Sequence, residues 1–444
     1  MIISFKVKNF RSMKDEVELS MEASTSKSKP ENVFEVETKP GKVFRLLKTA
    51  VIYGPNASGK SNIIRAYWAF RQLISLSFRN DVNDVIKIIE PFELSLETRG
   101  QPTTFTLHFI GPDKIQYIYS ISIFREEGVL EETLRFYPEK SPILLYKRKG
   151  RNIVHAMPVF FADIPHTKFV NPKRLLLSEL GNSGDRFWEN LRNYFVLNSM
   201  AFNSAETGMI HRLTGAAKRI FENDSDRATE IKKRVIRLVK LSDLGITNID
   251  LEEEILEESK ISTMEEPEED YGSSRKEKRF KTYHNVYDEN EIVDIKQFDL
   301  LRQGSTGTAA IIGLSTEILI SLDAESGRTL WIDELDNSLH PHLCRFLVEL
   351  YHHPKTNPNN AQLIFATHET TLLDKNMFRR DQVWITAKNK YGVTELYSIY
   401  DLDIEGLRED LPFDRWYMSG KFGGLPKIKS MDFIFERDEL KANG

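Results

Sequence analysis

Residues 49–66 read TAVIYGPNASGKSNIIRA, and this stretch decides the fold. Ala50 to Tyr53 supply a short apolar strand, Gly54 and Gly59 open the backbone, and Ser61 onward reads as a helix. The spacing G-x-x-x-x-G-K-S is that of a phosphate-binding loop, whose N–H groups turn inward around phosphate oxygens while the following helix adds its positive N-terminus. Gly54, Pro55, Asn56, Ala57, Ser58, Gly59, Lys60, Ser61 and Asn62 are therefore candidate nucleotide contacts. In this reading Lys60 lies along the β- and γ-phosphates of ATP and the Ser61 hydroxyl ligates Mg²⁺.

Such a loop needs carboxylates, and residues 328–343, RTLWIDELDNSLHPHL, supply them. Leu330 to Ile332 read as a strand ending in Asp333 and Glu334, which places both acids at the carboxyl edge of a parallel sheet, where ligands of such sheets bind. Asp333 is the candidate Mg²⁺ ligand, and Glu334 the group that polarises the attacking water. A lone Asp-Glu at a strand end is common, so the assignment rests on the loop that precedes it. Residues 362–368, QLIFATH, add a third strand that ends near His368, whose imidazole can donate to a γ-phosphate. Taken alone, it reads as a surface histidine.

Residues 297–319, QFDLLRQGSTGTAAIIGLSTEIL, put Ser305 and Gly307 in a polar turn before a helix with Ile311, Leu314, Ile318 and Leu319 on its apolar positions. This is a second anion-binding helix start. Because Lys60 already serves the chain's own nucleotide, the second terminus points to the ATP of another subunit. A plain helix cap explains Ser305 equally well in isolation.

The 444 residues allow more than one domain, and a 40% hydrophobic fraction permits sizeable cores. A net charge of −5 leaves no global basic footprint, so any DNA contact must come from local patches. The single cysteine, Cys344, excludes a disulfide within one chain and fits a reducing cytosol. The opening MIISFKVKNF alternates like a strand rather than a signal peptide, and no apolar run approaches the roughly 20 residues that span a bilayer. The expectation is a soluble, cytoplasmic protein with no membrane partner.

Alternation at Ile3, Phe5, Val7 and again at Val17, Leu19, Met21 predicts a hairpin around Arg11 to Asp15. Strand-like runs from Phe92 to Leu145 predict an antiparallel subdomain, and helical patterns follow at Arg186 to Phe195 and Ala216 to Leu241. Neither sustains heptads, so no long coiled coil is encoded. Leu251 to Asp270 is crowded with Glu, then Arg275, Lys276, Lys278, Arg279 and Lys281 reverse the sign. Such a run reads as a solvated linker, with gating of a partner or nucleic-acid contact as the other reading. The expected organisation is α/β, with a first ATPase lobe over 1–165, a helical insertion over 166–248, a charged, partly disordered linker over 249–290 and a second ATPase lobe over 291–444.

The order of these motifs resembles the ABC-type ATPases of the structural-maintenance, recombination-repair and overcoming-lysogenization-defect group. Within it the chain is similar to the stand-alone phage-defence ATPases called AbiLi or RloA-like. KVKNFRS at 6–12, AQLIFATHETTLLD at 361–374, RRDQVWITAKNKYGVTELYSIYDL at 379–402 and WYMSGKFGGLP at 416–426 carry the likeness over nearly the whole chain. The resemblance implies an ABC-type P-loop NTPase head with an antiparallel β subdomain and a helical insertion. It implies a Walker A at Gly54 to Ser61, a Walker B at Asp333 with catalytic Glu334, a D-loop around Asp336, Asn337 and Ser338 whose Asp336 and Asn337 contact nucleotide, a signature turn at Ser305 to Thr308 and a switch histidine at His368.

The signature reads QGSTGT instead of the transporter LSGGQ, and no Q-loop glutamine stands in a diagnostic context, Gln101 and Gln116 being the two choices. Some relatives fuse a Toprim nuclease domain to this ATPase, but no such acidic cluster is visible here. The resemblance thus implies an ATP- and Mg²⁺-dependent ATPase that assembles as a homodimer or higher oligomer around sandwiched ATP. It would act as a sensor in abortive-infection defence and control a separate effector, of Toprim or HNH nuclease type. The alternative is a DNA-repair or DNA-end-binding ATPase, and an adjacent effector gene would favour defence.

Overall fold

The computed structural model describes residues 1–79, 86–161, 170–197, 199–202, 209–242, 244–256, 275–325, 327–403 and 412–425. From the N-terminus, β1 (Ile2–Lys8) and β2 (Val17–Ser20) form the predicted antiparallel hairpin, and β3 (Val33–Glu37) pairs with β4 (Val43–Leu47). Next come β5 (Thr49–Tyr53), the glycine-containing loop and α1 (Lys60–Leu76). Strands β6 (Thr103–Ile110), β7 (Gln116–Phe124), β8 (Gly128–Tyr137), β9 (Ile143–Lys149) and β10 (Asn152–Ala156) follow as a meander.

A largely helical stretch holds α2 (Pro158–Phe161), α3 (Leu176–Leu180), α4 (Arg186–Leu197), β11 (Ser199–Phe202), α5 (Met209–Phe221) and α6 (Asp226–Leu241). The chain then forms β12 (Ile246–Leu256), β13 (Arg275–Asp288), β14 (Glu291–Asp299) and α7 (Thr306–Asp323). It finishes with β15 (Thr329–Ile332), α8 (Pro341–His352), β16 (Gln362–Ala366), β17 (Val383–Lys388), β18 (Thr394–Ser398) and α9 (Phe413–Met418).

The architecture is α/β, as the sequence predicts. The central sheet has strand order β11-β15-β16-β5-β17-β18 and is parallel except for the β17–β18 edge. Its inner strands are buried along their whole length because both faces are covered, which is why they read as unbroken apolar runs. Ala50, Ile52, Trp331 and Ile364 face a core shared with α1 and the antiparallel subdomain. Val51, Tyr53, Leu330, Ile332, Leu363 and Phe365 face the other core, closed by α7 and α8. The Tyr67 ring of α1 stacks on Trp331 of β15 at 4.1 Å and meets Phe5 of β1 edge-on at 5.2 Å, tying the hairpin, the helix and the carboxylate-bearing strand together.

The antiparallel subdomain is a single sheet, β10-β9-β8-β7-β6-β1-β2, so the N-terminal hairpin extends the meander. A buried carboxylate locks it to the helical stretch. Glu132 accepts from the hydroxyls of Tyr119 and Tyr146 at 2.8 and 2.7 Å, from the N–H groups of Leu176 and Leu177 at 2.7 and 3.0 Å, and from Arg148 at 3.4 Å. All its lone pairs are used, which is the condition for a charge to sit inside a core.

Three expectations need correction. The stretch 166–248 is not purely helical, because β11 pairs in parallel with β15 and forms an edge of the central sheet. The predicted helix over Ala216–Leu241 is two helices, broken at Asn223–Ser225, where the Ser225 hydroxyl caps α6 by accepting from Ala228 N–H at 3.3 Å.

The charged stretch 249–290 is not a linker where it is described. β12, β13 and β14 form an antiparallel sheet whose register sets Glu252 against Arg279 and Glu253 against Lys278. Opposite charges facing across a ladder stabilise it, so a composition that looks solvated supports strands instead. Residues 257–274, and the end of the chain beyond 425, lie outside the described residues. No helix among the described residues is long and apolar enough to cross a membrane.

Candidate functional site

The loop between β5 and α1 turns through left-handed backbone at Gly54 and Gly59, with φ of 154° and 115°. Both glycines are also walled in. A Cβ on Gly54 would stand 2.2 Å from the Thr386 hydroxyl, and one on Gly59 would stand 2.3 Å from the Thr394 hydroxyl. These threonines, on β17 and β18, hold the loop from beneath. Ser58 Oγ and Thr386 Oγ1 are 2.5 Å apart, and the Thr394 hydroxyl donates to the Ser58 carbonyl at 2.7 Å. Ser12, in the hairpin turn, receives the Asn62 amide at 2.6 Å and lies 2.7 Å from the Thr394 hydroxyl.

Ser58 and Asn62 thus spend their side chains on positioning the loop. Pro55, Asn56 and Ala57 form its more exposed crest, with Ala57 at φ 61°. The three supporting residues, Ser12, Thr386 and Thr394, were missed by motif reading.

Lys60 is buried at the first position of α1, and its ammonium donates to the carbonyls of Gly54 and Pro55 at 2.7 and 3.1 Å. Burial pulls its pKa down to about 8, against the fields of Asp333, Glu334 and Asp336, which favour the charged form. One cation and three carboxylates from distant parts of the chain therefore converge at the carboxyl edge of the central sheet.

The acids are held by alternate bonding to the two neighbouring strands. Asp333 N–H donates to the Phe202 carbonyl at the end of β11 at 3.0 Å, and Leu335 N–H donates to the Ala366 carbonyl at the end of β16 at 3.1 Å. Glu334, between them, takes a φ of 52°. Left-handed backbone at a non-glycine residue carries a local cost of about 1–3 kcal/mol and persists where the surroundings impose it. The consequence is an abrupt turn right after fully buried Asp333.

Asp336 accepts the backbone N–H of His368 at 3.4 Å to each carboxylate oxygen. The His368 imidazole is lowered by burial and by Lys60, with Asp336 and Asp333 opposing. Asn337 is exposed, and its N–H closes a turn onto the Glu334 carbonyl at 2.9 Å.

The Ser305 turn stands apart. Ser305 caps α7 by accepting from Thr308 N–H at 3.0 Å, and a Cβ on Gly307 would lie 2.7 Å from the Ser338 carbonyl. Ser305, Gly307, Ser338 and His340 share the wall of a groove of about 760 Å³. The turn therefore neighbours the loop after β15. Gln116 donates its side-chain amide to the His108 ring at 2.7 Å inside the antiparallel sheet, and the Gln101 backbone carbonyl receives the Asn9 amide at 2.8 Å.

The donor set suits Mg²⁺ held jointly with a substrate. Among the described residues no three His, Cys, Asp or Glu side chains cluster as a self-sufficient metal cage. Mg²⁺ at phosphate sites takes one or two protein oxygens and fills the rest with phosphate and water, and Ser61 and Asp333 offer that many.

A family model described as "AAA domain, putative AbiEii toxin, Type IV TA system" matches residues 50–374. No curated protein matches the chain. Among solved structures, it is similar to an SmcHead bound to the C-winged helix domain of ScpA at 13% identity, covering 91% of this chain and 98% of that one, with a TM-score of 0.43. It is also similar to the recombination mediator protein RecF of the RecFOR pathway with ATPrS, at 14% identity, coverages of 89% and 98%, and a TM-score of 0.35. The RecF–ATP structure matches at 14% identity, coverages of 89% and 97%, and a TM-score of 0.37.

Proposed function

The chain belongs to the family described as AAA domain, putative AbiEii toxin, Type IV TA system, and from that premise we propose that it binds and hydrolyses ATP. The observation that carries this reading is the convergence of buried Lys60 with Asp333, Glu334 and Asp336 above a glycine-walled loop.

Lys60 exchanges its two carbonyl acceptors for phosphate oxygens when ATP enters, a trade of neutral for charge-assisted hydrogen bonds. Ser61 and Asp333 would hold Mg²⁺, which when bound would neutralise charge on the phosphates. Glu334 takes a proton from the water that attacks the γ-phosphorus as the bond to the bridging oxygen breaks, leaving ADP and phosphate. His368 is placed to sense whether the γ-phosphate is present and to pass that state to Asp336 through its backbone N–H. The Ser305–Gly307 turn, which packs beside Ser338, serves the nucleotide of a second copy.

The larger role is that of a regulatory ATPase in abortive-infection defence acting on a separate effector. The family description, with its toxin–antitoxin system, supports that direction. Phosphate release from Mg²⁺–ATP by wild type and Glu334→Gln tests the chemistry. The variant should bind ATP but turn over about 10²-fold more slowly or worse. Equal turnover would remove Glu334 from the role of base. Phage-plating assays with the neighbouring genes present test the defence role, which predicts protection by wild type and none by Glu334→Gln.

A further inference from the structure

Because β17 runs parallel to β5, its N-terminal end lies at the edge of the sheet opposite the phosphate loop. There the segment from Ser24 to Lys29 and the stretch from Lys375 to Asp381 enclose a pocket of about 390 Å³. Its chemistry is cationic and aromatic. Asp381 is the carboxylate in the wall, and it is already neutralised: Arg379 donates to its two oxygens at 2.8 and 2.7 Å and Ser24 N–H donates at 2.7 Å. The rest of the Arg379 guanidinium is spent on the carbonyls of Ser26, at 3.1 Å, and Ser28.

Besides Lys375, that leaves Lys29 and Arg380, neither ion-paired among the described residues. Arg380 is fixed by donating from one terminal nitrogen to the carbonyls of Ile399 and Leu402 at 3.1 and 3.4 Å. Its Nε is buried without an acceptor, a donor whose desolvation is uncompensated. The guanidinium stands 5.9 Å from the centre of the Tyr400 ring, which is 40% exposed at the rim. The Ser26 and Ser28 hydroxyls, 3.0 Å apart, add neutral donors on the facing side.

Two cations without an ion pair among the described residues, hydroxyls and a partly exposed aromatic face are the parts needed to hold a phosphate attached to a planar ring. The volume lies in the range of small-ligand pockets, larger than a bare anion needs. We propose that this pocket binds a nucleoside 5′-phosphate, free or at the 5′ end of a strand, with Lys29 and Arg380 on the phosphate and Tyr400 against the base. The site is separate from the phosphate loop but is joined to its strand. Gln382, next to Asp381, donates to the carbonyl and hydroxyl of Thr49, the first residue of β5, at 3.1 and 2.6 Å.

Calorimetric titration of the full chain carrying Lys60→Ala, which silences the phosphate loop, tests the proposal. The probes are AMP, adenosine, inorganic phosphate, and one oligonucleotide with and without a 5′-phosphate. AMP or the 5′-phosphorylated strand should bind at one site per chain, and which of the two binds more tightly identifies the source. Adenosine, phosphate and the 5′-hydroxyl strand should be weaker by about tenfold or more. Lys29→Gln and Arg380→Gln, added singly, should each weaken binding by a similar factor. If Arg380→Gln fails to fold, Lys29→Gln, in a surface loop, still decides the matter. The proposal is overturned if neither phosphorylated nucleotide binds up to about 1 mM, if inorganic phosphate binds as tightly as AMP, or if Lys29→Gln binds like its parent.

Discussion

Asp336 reaches from the loop after β15 to the backbone N–H of His368, at 3.4 Å to each carboxylate oxygen. The same loop touches the Ser305 turn, where Gly307 packs against the Ser338 carbonyl. Residues 333–338 are thus the physical connection between the end of β16 and the start of α7. Asp336→Ala should leave ATP binding within about threefold of wild type while lowering turnover by about tenfold, because only the coupling of the two loops is lost. Steady-state phosphate release beside a nucleotide-binding isotherm measures both. A parallel fall in affinity would show that Asp336 acts on nucleotide binding as well as on the coupling of the two loops.

Assembly around a shared nucleotide gives a sharper test of the Ser305 turn. Ser305→Arg should block the ATP-loaded interface by bulk and misplaced charge and leave the chain's own phosphate loop intact. Mixed with Lys60→Ala, it should recover part of the ATPase activity, since a mixed dimer keeps one composite site pairing Lys60 of one copy with the Ser305 turn of the other. Normal turnover by Ser305→Arg alone, or no recovery in mixtures that demonstrably dimerise, would reduce Ser305 to the helix cap it already is.

Glu132 predicts a stability effect remote from the site. Glu132→Ala leaves the Arg148 guanidinium buried beside two orphaned tyrosine hydroxyls, and removing one partner of a buried ion pair costs about 3–5 kcal/mol. Denaturant unfolding should show a loss of that order. A change under about 1 kcal/mol would mean that water replaces the carboxylate freely.

Acid sensitivity follows from His352. Burial, reinforced by Lys48 and Lys29, pushes the pKa of its imidazole down to about 3, and the neutral ring hydrogen-bonds the Thr49 hydroxyl at 2.8 Å. The folded state then refuses a proton that the unfolded chain takes up below its ordinary value near 6.5. This contribution is fully present above pH 6.5 and is lost progressively as pH falls toward 3, by about 1.4 kcal/mol per pH unit within that window. His352→Gln should flatten the decline in melting temperature between pH 6.5 and 4; an unchanged slope would assign acid sensitivity to other groups.

The residues legible in the sequence are those whose chemistry is local. Gly54 to Ser61 and Asp333–Glu334 sit in contiguous motifs, and the buried strands before them are unbroken apolar runs. Ser12, Thr386 and Thr394 could not be found that way, because Thr386 and Ser12 meet their partners Ser58 and Thr394 across 328 and 382 residues of chain and a lone hydroxyl has no pattern. β11 is only four residues long, and its strand character comes from pairing with β15. The charges of β12 and β13 mislead for the same reason, since Arg279 meets Glu254 and Asp299, and Lys276 meets Glu253, only once their strands are paired. Left-handed Glu334 had no sequence signal at all, the turn being imposed by bonds to Phe202 and Ala366 on either side.

The central claim is that Lys60 anchors the phosphates of ATP for hydrolysis, and equilibrium ATP binding by wild type and Lys60→Ala tests it most directly. Lys60 is the buried cation of the loop, and its pKa of about 8 means that wild-type affinity should also fall as pH rises past that value. The account predicts saturable ATP binding and Mg²⁺-dependent phosphate release by wild type at neutral pH, with both abolished in Lys60→Ala. Undiminished ATP binding by Lys60→Ala, in a chain that folds as wild type does, would contradict it.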